Sequence, residues 1–242
     1  MGIVKNIPNT ITSMNLLCGV LGVIASLNGR LELAFVLMIS AAAFDFCDGL
    51  AARLLKAYSE IGKELDSLAD DVSFGVLPAV MLSCVCGSDV VVLKYFPLLI
   101  AVFSALRLAK FNIDERQHSG FLGLPTPACA MVCGALASLA SSDPDGVAAS
   151  FCNLPFAVPA LSALLCWLLV SEVPMFAFKV ATGDRASKSV KVKRVIFIVI
   201  GIASVPVALL SGTGWQLVPL VTFSGYILIN LAGCIISRQH CW

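Results

Sequence analysis

Four aspartates in an otherwise apolar stretch are the residues whose types and spacing could do chemistry. Asp45 and Asp48 lie three residues apart in one hydrophobic segment, and Asp66 and Asp70 lie four apart in the next. Both spacings place the paired side chains on one face of an α-helix. Carboxylates are costly at membrane depth and are rarely found there without a function. The pattern therefore predicts a cation among these four side chains.

The donor atoms indicate which cation this is. Two facing helices can bring the four carboxylates together, and ligation by oxygen alone favours hard cations such as Mg²⁺, Mn²⁺ or Ca²⁺. Such a set could hold two divalent ions ~4 Å apart, an arrangement used to displace phosphoryl groups. Small residues at Gly49, Ala52 and Gly62 leave room for a close helix or a ligand, and Arg53 would suit a diphosphate oxygen. The alternative is that the aspartates only cap helix ends and meet solvent.

The elements that must position these residues are membrane helices. The chain has 242 residues, of which 59% are hydrophobic and 13% are charged, against roughly 25% charged in soluble domains. We predict an all-α polytopic membrane protein forming a single domain over residues 1–242. A span needs about 20 residues to cross the hydrocarbon core. The apolar runs predict about eight helices, at 11–28, 31–56, 66–87, 91–111, 125–141, 151–172, 194–211 and 215–236.

The distribution of charge predicts the orientation of these helices. Of the 16 lysines and arginines, only Arg30 and Lys94 fall on one side of the eight-helix arrangement. The positive-inside rule then places both termini, and the aspartates at the ends of predicted helices 2 and 3, on the cytosolic side. The formal net charge of +1 gives no indication of nucleic-acid binding.

The segment 45–70 reads Asp-x-x-Asp-Gly-x-x-Ala-Arg, eight further residues, then Gly-x-x-x-Asp-x-x-x-Asp. It resembles the signature of the CDP-alcohol phosphotransferase family at every defining position. Members of that family are membrane enzymes that displace CMP from a CDP-linked lipid or alcohol with a second alcohol. The resemblance implies six core helices around a polar cavity open to the cytosol, a homodimer, and two divalent cations, Mg²⁺ or Mn²⁺.

The resemblance also implies a role for each matched position. Asp70, the last of the motif, would act as general base on the incoming hydroxyl as well as binding metal. The metal ligands would be Asp45, Asp48, Asp66 and Asp70. The residues that contact the CDP-linked lipid would be Asp48, Gly49, Ala52, Arg53, Gly62 and Asp66.

Three further stretches, at 6–19, 66–75 and 107–128, resemble bacterial and archaeal membrane-spanning phosphatidylserine synthases. This resemblance implies CDP-diacylglycerol and L-serine as substrates, membrane lipid as the surroundings, and a bacterial or archaeal cytoplasmic membrane as the location. Arg107 and Lys110 lie on one helix face and could hold the carboxylate of serine or a lipid phosphate. Lys110 stands where many members carry arginine. Ordinary positive flanking charge is the alternative for both residues.

Three other functions remain open from the sequence. A sibling enzyme using glycerol 3-phosphate or inositol would share the same site chemistry. A cation-coupled transporter would also place carboxylates in the membrane, although transporters commonly show repeated halves and this motif has no second copy. A metal-dependent scaffold without catalysis is the third alternative.

Overall fold

The computed structural model describes residues 2–113, 121–176 and 188–237, and these are predominantly helical. The first helices are α1 (Gly2–Leu27), α2 (Leu31–Leu54) and α3 (Glu60–Asp70), followed without a break by a π-helical turn (Asp71–Val76) and α4 (Leu77–Val85). The middle of the chain contains α5 (Val91–Tyr95), a 3₁₀ turn (Phe96–Leu98), α6 (Leu99–Ile113), α7 (Thr126–Ser142), α8 (Val147–Asn153) and α9 (Ala157–Val170). The last helices are α10 (Lys188–Ser211) and α11 (Leu217–Ser237).

The helices confirm an all-α protein built of apolar segments. Among the described residues, six helical segments are long and apolar enough to cross a membrane: Asn6–Leu27, Leu31–Leu54, Glu60–Val85, Val91–Ile113, Val190–Ser211 and Leu217–Cys234. The fifth predicted helix is α7, which has 17 residues, and the sixth is the pair α8 and α9. The side of the membrane that each end faces stays a prediction, and several basic residues used for it, such as Arg116 and Arg185, lie outside the described residues.

Several helices differ from the predicted ones, and α10 begins at Lys188 and not at residue 194. The helix predicted at 151–172 is broken, because α8 and α9 meet at a bend of 90°, where Pro155 lacks an N–H and disfavours helical geometry in the residue before it. Helix α1 begins at Gly2, and not at residue 11, so that Pro8 lies inside it. Helix α3 begins at Glu60, six residues before the predicted start, because the Ser59 hydroxyl caps it by accepting from the Gly62 N–H at 3.0 Å.

Helix α7 forms the centre of the bundle. Most of its side chains are buried, and it packs against α2, α4 and α11. Its sequence is rich in alanine, cysteine and serine, which allow neighbouring helices to approach closely. At Gly134 a Cβ atom would lie 2.9 Å from the Phe35 ring. The helix is therefore apolar all around because it is surrounded by protein.

A short two-stranded ladder ties the segment before α7 to the segment after α9. Strand β1 (Phe121–Leu122) pairs antiparallel with β2 (Pro174–Met175). The ladder is extended by a hydrogen bond of 3.0 Å from the Gly123 N–H to the Val173 carbonyl. Gly123 has φ +79° and faces the Leu169 and Ser171 carbonyls closely, so a side chain would be strained there. This ladder places the start of α7 beside the chain that follows β2.

Candidate functional site

Helices α2 and α3 bring three of the four motif aspartates together. One carboxylate oxygen from each of Asp45, Asp48 and Asp66 lies within 4.8 Å of the other two. Asp48 is buried, and the other two are half-buried. One side of this acid cluster comes from consecutive turns of α2, and the other side comes from the middle of α3. The spacing of the motif along the two helices thus brings these oxygen donors close together.

Asp70, the fourth aspartate, lies where the acid cluster meets a cavity. It is one turn beyond Asp66, at the point where α3 passes into the π-helical turn. It interacts electrostatically with Asp45, Asp48 and Asp66, and it also lines a cavity of about 370 Å³. π-Helical turns often occur at functional sites. Asp70 can therefore contact both a cation in the acid cluster and a molecule in the cavity.

Helix α1 holds two of these carboxylates through residues that the predicted site does not include. Thr12 Oγ1 donates a hydrogen bond of 2.5 Å to Asp48 Oδ2, and Asn15 Nδ2 donates one of 3.1 Å to Asp70 Oδ1. Both side chains are buried. Their spacing of i, i+3 on an apolar helix is the signal that could have identified them, because buried polar groups in a membrane helix need a partner.

Close packing keeps α1 against the π-helical turn. The Ser73 hydroxyl donates to the Asn15 carbonyl oxygen at 3.1 Å. Gly19, one turn after Asn15, faces Ser73 so closely that a Cβ atom would collide with it. A small residue at this crossing lets two helix backbones approach. The amide of Asn15 is thereby held at a fixed distance from Asp70.

The acid cluster fits a divalent cation. Its donors are all carboxylate oxygens, the ligands that hard cations prefer. In the part of the chain that the structure describes, Asp66 Oδ1 is buried without a hydrogen-bond donor. A buried carboxylate oxygen without a donor is costly unless a cation compensates it. The three grouped carboxylates therefore fit a divalent cation by the chemistry of their donor atoms; the full four-aspartate, two-cation site stays a prediction.

The small residues of the motif have different surroundings. At Gly49 a Cβ atom would meet only the Arg53 guanidinium, at 4.0 Å, so the space beside this residue is open. At Gly62 a Cβ atom would lie 2.8 Å from both Asn9 Oδ1 and Ser59 Oγ. Gly49 therefore leaves room for a ligand, whereas Gly62 allows α1 and α3 to meet. Ala52 is half-buried and Arg53 is exposed in the last turn of α2.

A buried arginine faces Asp70 across the cavity. Arg107 lines the cavity, is only 7% exposed and interacts electrostatically with Asp70. Its Nη1 atom donates to Thr126 Oγ1 at 3.1 Å, and its guanidinium carbon lies 6.0 Å from the centre of the Phe111 ring. The rest of the lining is apolar apart from Tyr226. The cavity therefore combines one fixed cation and one fixed acid with apolar walls.

Lys110 has a different environment from Arg107. Its side chain is 44% exposed, and its Nζ atom lies 3.9 Å from Glu172 Oε1. It does not line the cavity that contains Asp70 and Arg107. The two cations predicted on one helix face are therefore separated, one inside the protein and one at its surface.

Comparison with known proteins identifies the family. The model of the CDP-alcohol phosphatidyltransferase family matches residues 5–235. The CDP-diacylglycerol–serine O-phosphatidyltransferase of Bacillus subtilis is 33% identical over 177 residues, which are 72% of this chain and 91% of that protein. The Mycobacterium bovis protein of the same name is 36% identical over 176 residues, covering 70% and 60% of the two chains.

An archaeal relative also matches. The archaetidylserine synthase of Methanothermobacter thermautotrophicus is 34% identical over 131 residues, covering 52% of this chain and 54% of that protein. The chain thus spans most of the Bacillus relative and little more than half of the archaeal one. With a family model that matches nearly its whole length, this chain belongs to the CDP-alcohol phosphatidyltransferase family.

Proposed function

We propose that this membrane enzyme transfers the phosphatidyl group of CDP-diacylglycerol to the hydroxyl of L-serine, giving phosphatidylserine and CMP. The observation that carries the proposal is the position of Asp70 between an acid cluster and a small cavity with a buried arginine. The names of the bacterial relatives support the same donor and acceptor. A sibling reaction with glycerol 3-phosphate or inositol is the alternative within the family.

The proposed reaction is a single displacement at phosphorus. The serine hydroxyl oxygen forms a bond to the β-phosphorus of CDP-diacylglycerol, and the bond from that phosphorus to the bridging oxygen breaks, so that CMP leaves with the electron pair. Asp70 accepts the hydroxyl proton as general base. Its Oδ1 atom already accepts from Asn15, which leaves Oδ2 for the proton.

The cofactors we propose are two divalent cations, Mg²⁺ or Mn²⁺, held by Asp45, Asp48 and Asp66, with Asp70 as fourth ligand. Bound there, such ions would neutralise the diphosphate and the departing CMP. Thr12 contributes by fixing Asp48 through its hydroxyl. The orphaned Oδ1 atom of Asp66 supports the proposal, because it has the acceptor capacity that a cation requires.

For the CDP end of the donor lipid, we propose the open side of the acid cluster. Gly49 provides space there, and the Arg53 guanidinium beside it would bind a diphosphate oxygen. Ala52 keeps this region free of bulk, and Gly62 contributes to it by letting α1 and α3 meet. Asp48 and Asp66 would reach the diphosphate through the cations. The acyl chains would remain in the bilayer beside α2.

For the acceptor, we propose the cavity between Asp70 and Arg107. The guanidinium would bind the serine carboxylate through charge-assisted hydrogen bonds, which are among the strong ones in proteins. A cavity of about 370 Å³ suits a small polar molecule. Lys110, at the surface, is the candidate for contact with a lipid phosphate. Arg107 could hold the phosphate of glycerol 3-phosphate in the same way, so the acceptor needs a direct test.

We further propose that the site faces the cytosol of a bacterium or an archaeon, with both chain ends on that side, and that the enzyme forms a homodimer in the cytoplasmic membrane. The excess of lysine and arginine on one side of the helices supports this orientation. A cytosolic site would receive serine from water and CDP-diacylglycerol from the bilayer.

The test is CMP release from CDP-diacylglycerol by the purified protein with Mn²⁺ or Mg²⁺, comparing L-serine, glycerol 3-phosphate and inositol. Of the three alcohols, we expect only serine to support CMP release, and the lipid product should carry the serine amine. EDTA should abolish CMP release, and added Mn²⁺ should restore it. Release with another alcohol would keep the family reaction and overturn the choice of serine. Absence of release with every alcohol, from protein that binds the donor lipid, would favour a scaffold.

A further inference from the structure

Two buried polar side chains of α11 hold the backbone of one residue in the cavity wall. The Phe176 N–H donates to Asn230 Oδ1 at 3.2 Å, and the Tyr226 hydroxyl donates to the Phe176 carbonyl oxygen at 3.0 Å. Asn230 Nδ2 in turn donates to the Tyr226 carbonyl oxygen at 2.9 Å. Both backbone groups of Phe176 are therefore bound by side chains one helical turn apart on the same helix.

These bonds engage both backbone polar groups of a residue that lies outside the helices and strands. Phe176 directly follows β2 and belongs to no helix or strand, and it is buried together with Tyr226 and Asn230. An irregular segment inside a membrane protein is tolerated only where protein or a polar cavity satisfies its backbone. Helix α11 supplies such partners for Phe176.

Aromatic packing fixes the ring of Phe176 as well. Its centre lies 4.8 Å from that of the Tyr226 ring, at an interplanar angle of 63°. Phe197 of α10 contacts both rings edge-on, at 6.4 Å and 6.0 Å. Edge-to-face pairs at such distances are favourable. The hairpin of α10 and α11 thus clamps the ring and the backbone of the same residue.

Phe176 and Tyr226 line the cavity that Asp70 and Arg107 also line. We infer that Tyr226 and Asn230 are positioning residues for the acceptor alcohol. They hold Phe176 in place, and Phe176 forms the part of the cavity wall that limits the size of the alcohol bound next to Asp70. The inference rests on the proposed function for the location of the acceptor. Asn230 acts through Phe176, and Tyr226 acts through Phe176 and through its electrostatic interaction with Arg107. Neither residue takes part in the chemistry at phosphorus.

The test compares the Michaelis constants of the two substrates in Tyr226→Phe and Asn230→Ala. Tyr226→Phe removes one hydroxyl and keeps the ring, so it is the variant with the smaller structural change. Loss of a buried hydrogen bond typically changes an equilibrium by about three- to tenfold. We expect KM for the acceptor to rise about three- to tenfold in each variant, with KM for CDP-diacylglycerol unchanged, because the acid cluster is untouched.

Thr222→Val is the matched control. Thr222 is a buried polar residue on the same helix, and its hydroxyl bonds only to the Val218 carbonyl, at 2.6 Å, among the described residues. We expect wild-type KM values for both substrates in this variant. An equal change in both KM values, or a loss of thermal stability in detergent with unchanged acceptor KM, would show that Tyr226 and Asn230 are only structural, and would overturn the inference.

Phe176→Leu tests directly whether the Phe176 side chain limits the size of the acceptor. It keeps both backbone hydrogen bonds and shortens the side chain, so we expect a larger hydroxy amino acid, L-threonine or L-homoserine, to gain at least threefold in kcat/KM relative to L-serine. An unchanged ratio would overturn the role of Phe176 in size selection. If wild-type protein uses a different alcohol, the proposed choice of serine fails, and the same KM comparison is made with that alcohol.

Discussion

The acid cluster and the acceptor cavity lie on either side of Asp70, and they are built in different ways. The cluster takes its carboxylates from α2 and α3 within residues 45–70, and α1 holds two motif carboxylates through Thr12 and Asn15. The cavity takes its lining from α6, the start of α7, the chain after β2, and α11. Oxygen donors for a cation can be supplied by a short local motif, whereas the shape of the cavity depends on long-range packing.

This division implies that the two regions control different steps. Loss of a group in the cluster should impair the chemistry with every alcohol, since the diphosphate is common to all of them. Loss of a group in the cavity should impair one substrate more than the other. Asp70 belongs to both regions and is expected to have the largest effect.

The most severe test of this division is Asp70→Asn, which removes the proposed base. We expect kcat for CMP release to fall by about 10²- to 10⁴-fold, the usual contribution of general-base catalysis. Asp71→Asn is the matched control, because Asp71 follows directly in sequence but lines a different groove, beside α6. Near wild-type turnover in Asp70→Asn, measured in protein with normal thermal stability, would exclude Asp70 as the base.

Arg107→Ala tests the cavity alone. Removal of a buried charge that binds an oppositely charged group typically costs about 2–5 kcal/mol, so we expect KM for serine to rise about 30-fold or more. Arg107→Lys should recover part of this loss, because a lysine keeps the charge but lacks the planar fork. KM for CDP-diacylglycerol, measured in the same assays, should stay within about twofold of wild type; a parallel rise would assign Arg107 to the donor lipid.

Thr12→Val tests the support of the acid cluster by α1. The change keeps the shape of the side chain and removes the hydroxyl that binds Asp48. Residues that orient metal ligands typically affect metal affinity by 10- to 100-fold. We expect the Mn²⁺ concentration for half-maximal CMP release to rise about tenfold, with KM for serine unchanged. Asp48→Ala should abolish metal-dependent binding of the donor lipid altogether.

Thr10→Val is the control for Thr12→Val. Thr10 lies on the same helix but is exposed, and its hydroxyl bonds to the Asn6 carbonyl at 3.0 Å. Its Mn²⁺ dependence should match that of wild type. An equal shift in both variants would mean that the effect comes from α1 in general and not from the contact with Asp48.

The same division explains what the sequence can predict. The motif aspartates share helix faces because their i, i+3 and i, i+4 spacings are set by helix geometry alone. Helix propensity and hydropathy likewise indicate most of the apolar segments. The contacts of Thr12 and Asn15 need the packing of α1 against α2, α3 and the π-helical turn, where Gly19 meets Ser73. No local pattern contains that contact.

The lining of the cavity is even harder to predict from local sequence patterns than the contacts of α1. Phe176 reaches it because the chain bends between α8 and α9 and then pairs as β2 with β1. Tyr226 reaches it because α11 packs against α7, and Asn230 acts on it through the backbone of Phe176. Each of these is a tertiary contact between distant parts of the chain. Apart from the motif residue Asp70, Arg107 is therefore the cavity residue that its unusual position in an apolar run could indicate.

The smallest expected effect separates the two cations on α6. Lys110 forms an exposed pair with Glu172 at 3.9 Å, and such surface pairs contribute about 0–1 kcal/mol. We therefore expect Lys110→Ala to change KM for serine by less than about twofold, against the far larger change for Arg107→Ala. If Lys110 contacts a lipid phosphate, its loss should instead raise KM for CDP-diacylglycerol at low ionic strength, where surface charges are least screened. A large rise in KM for serine would place Lys110 with the acceptor and extend the cavity to the surface of the protein.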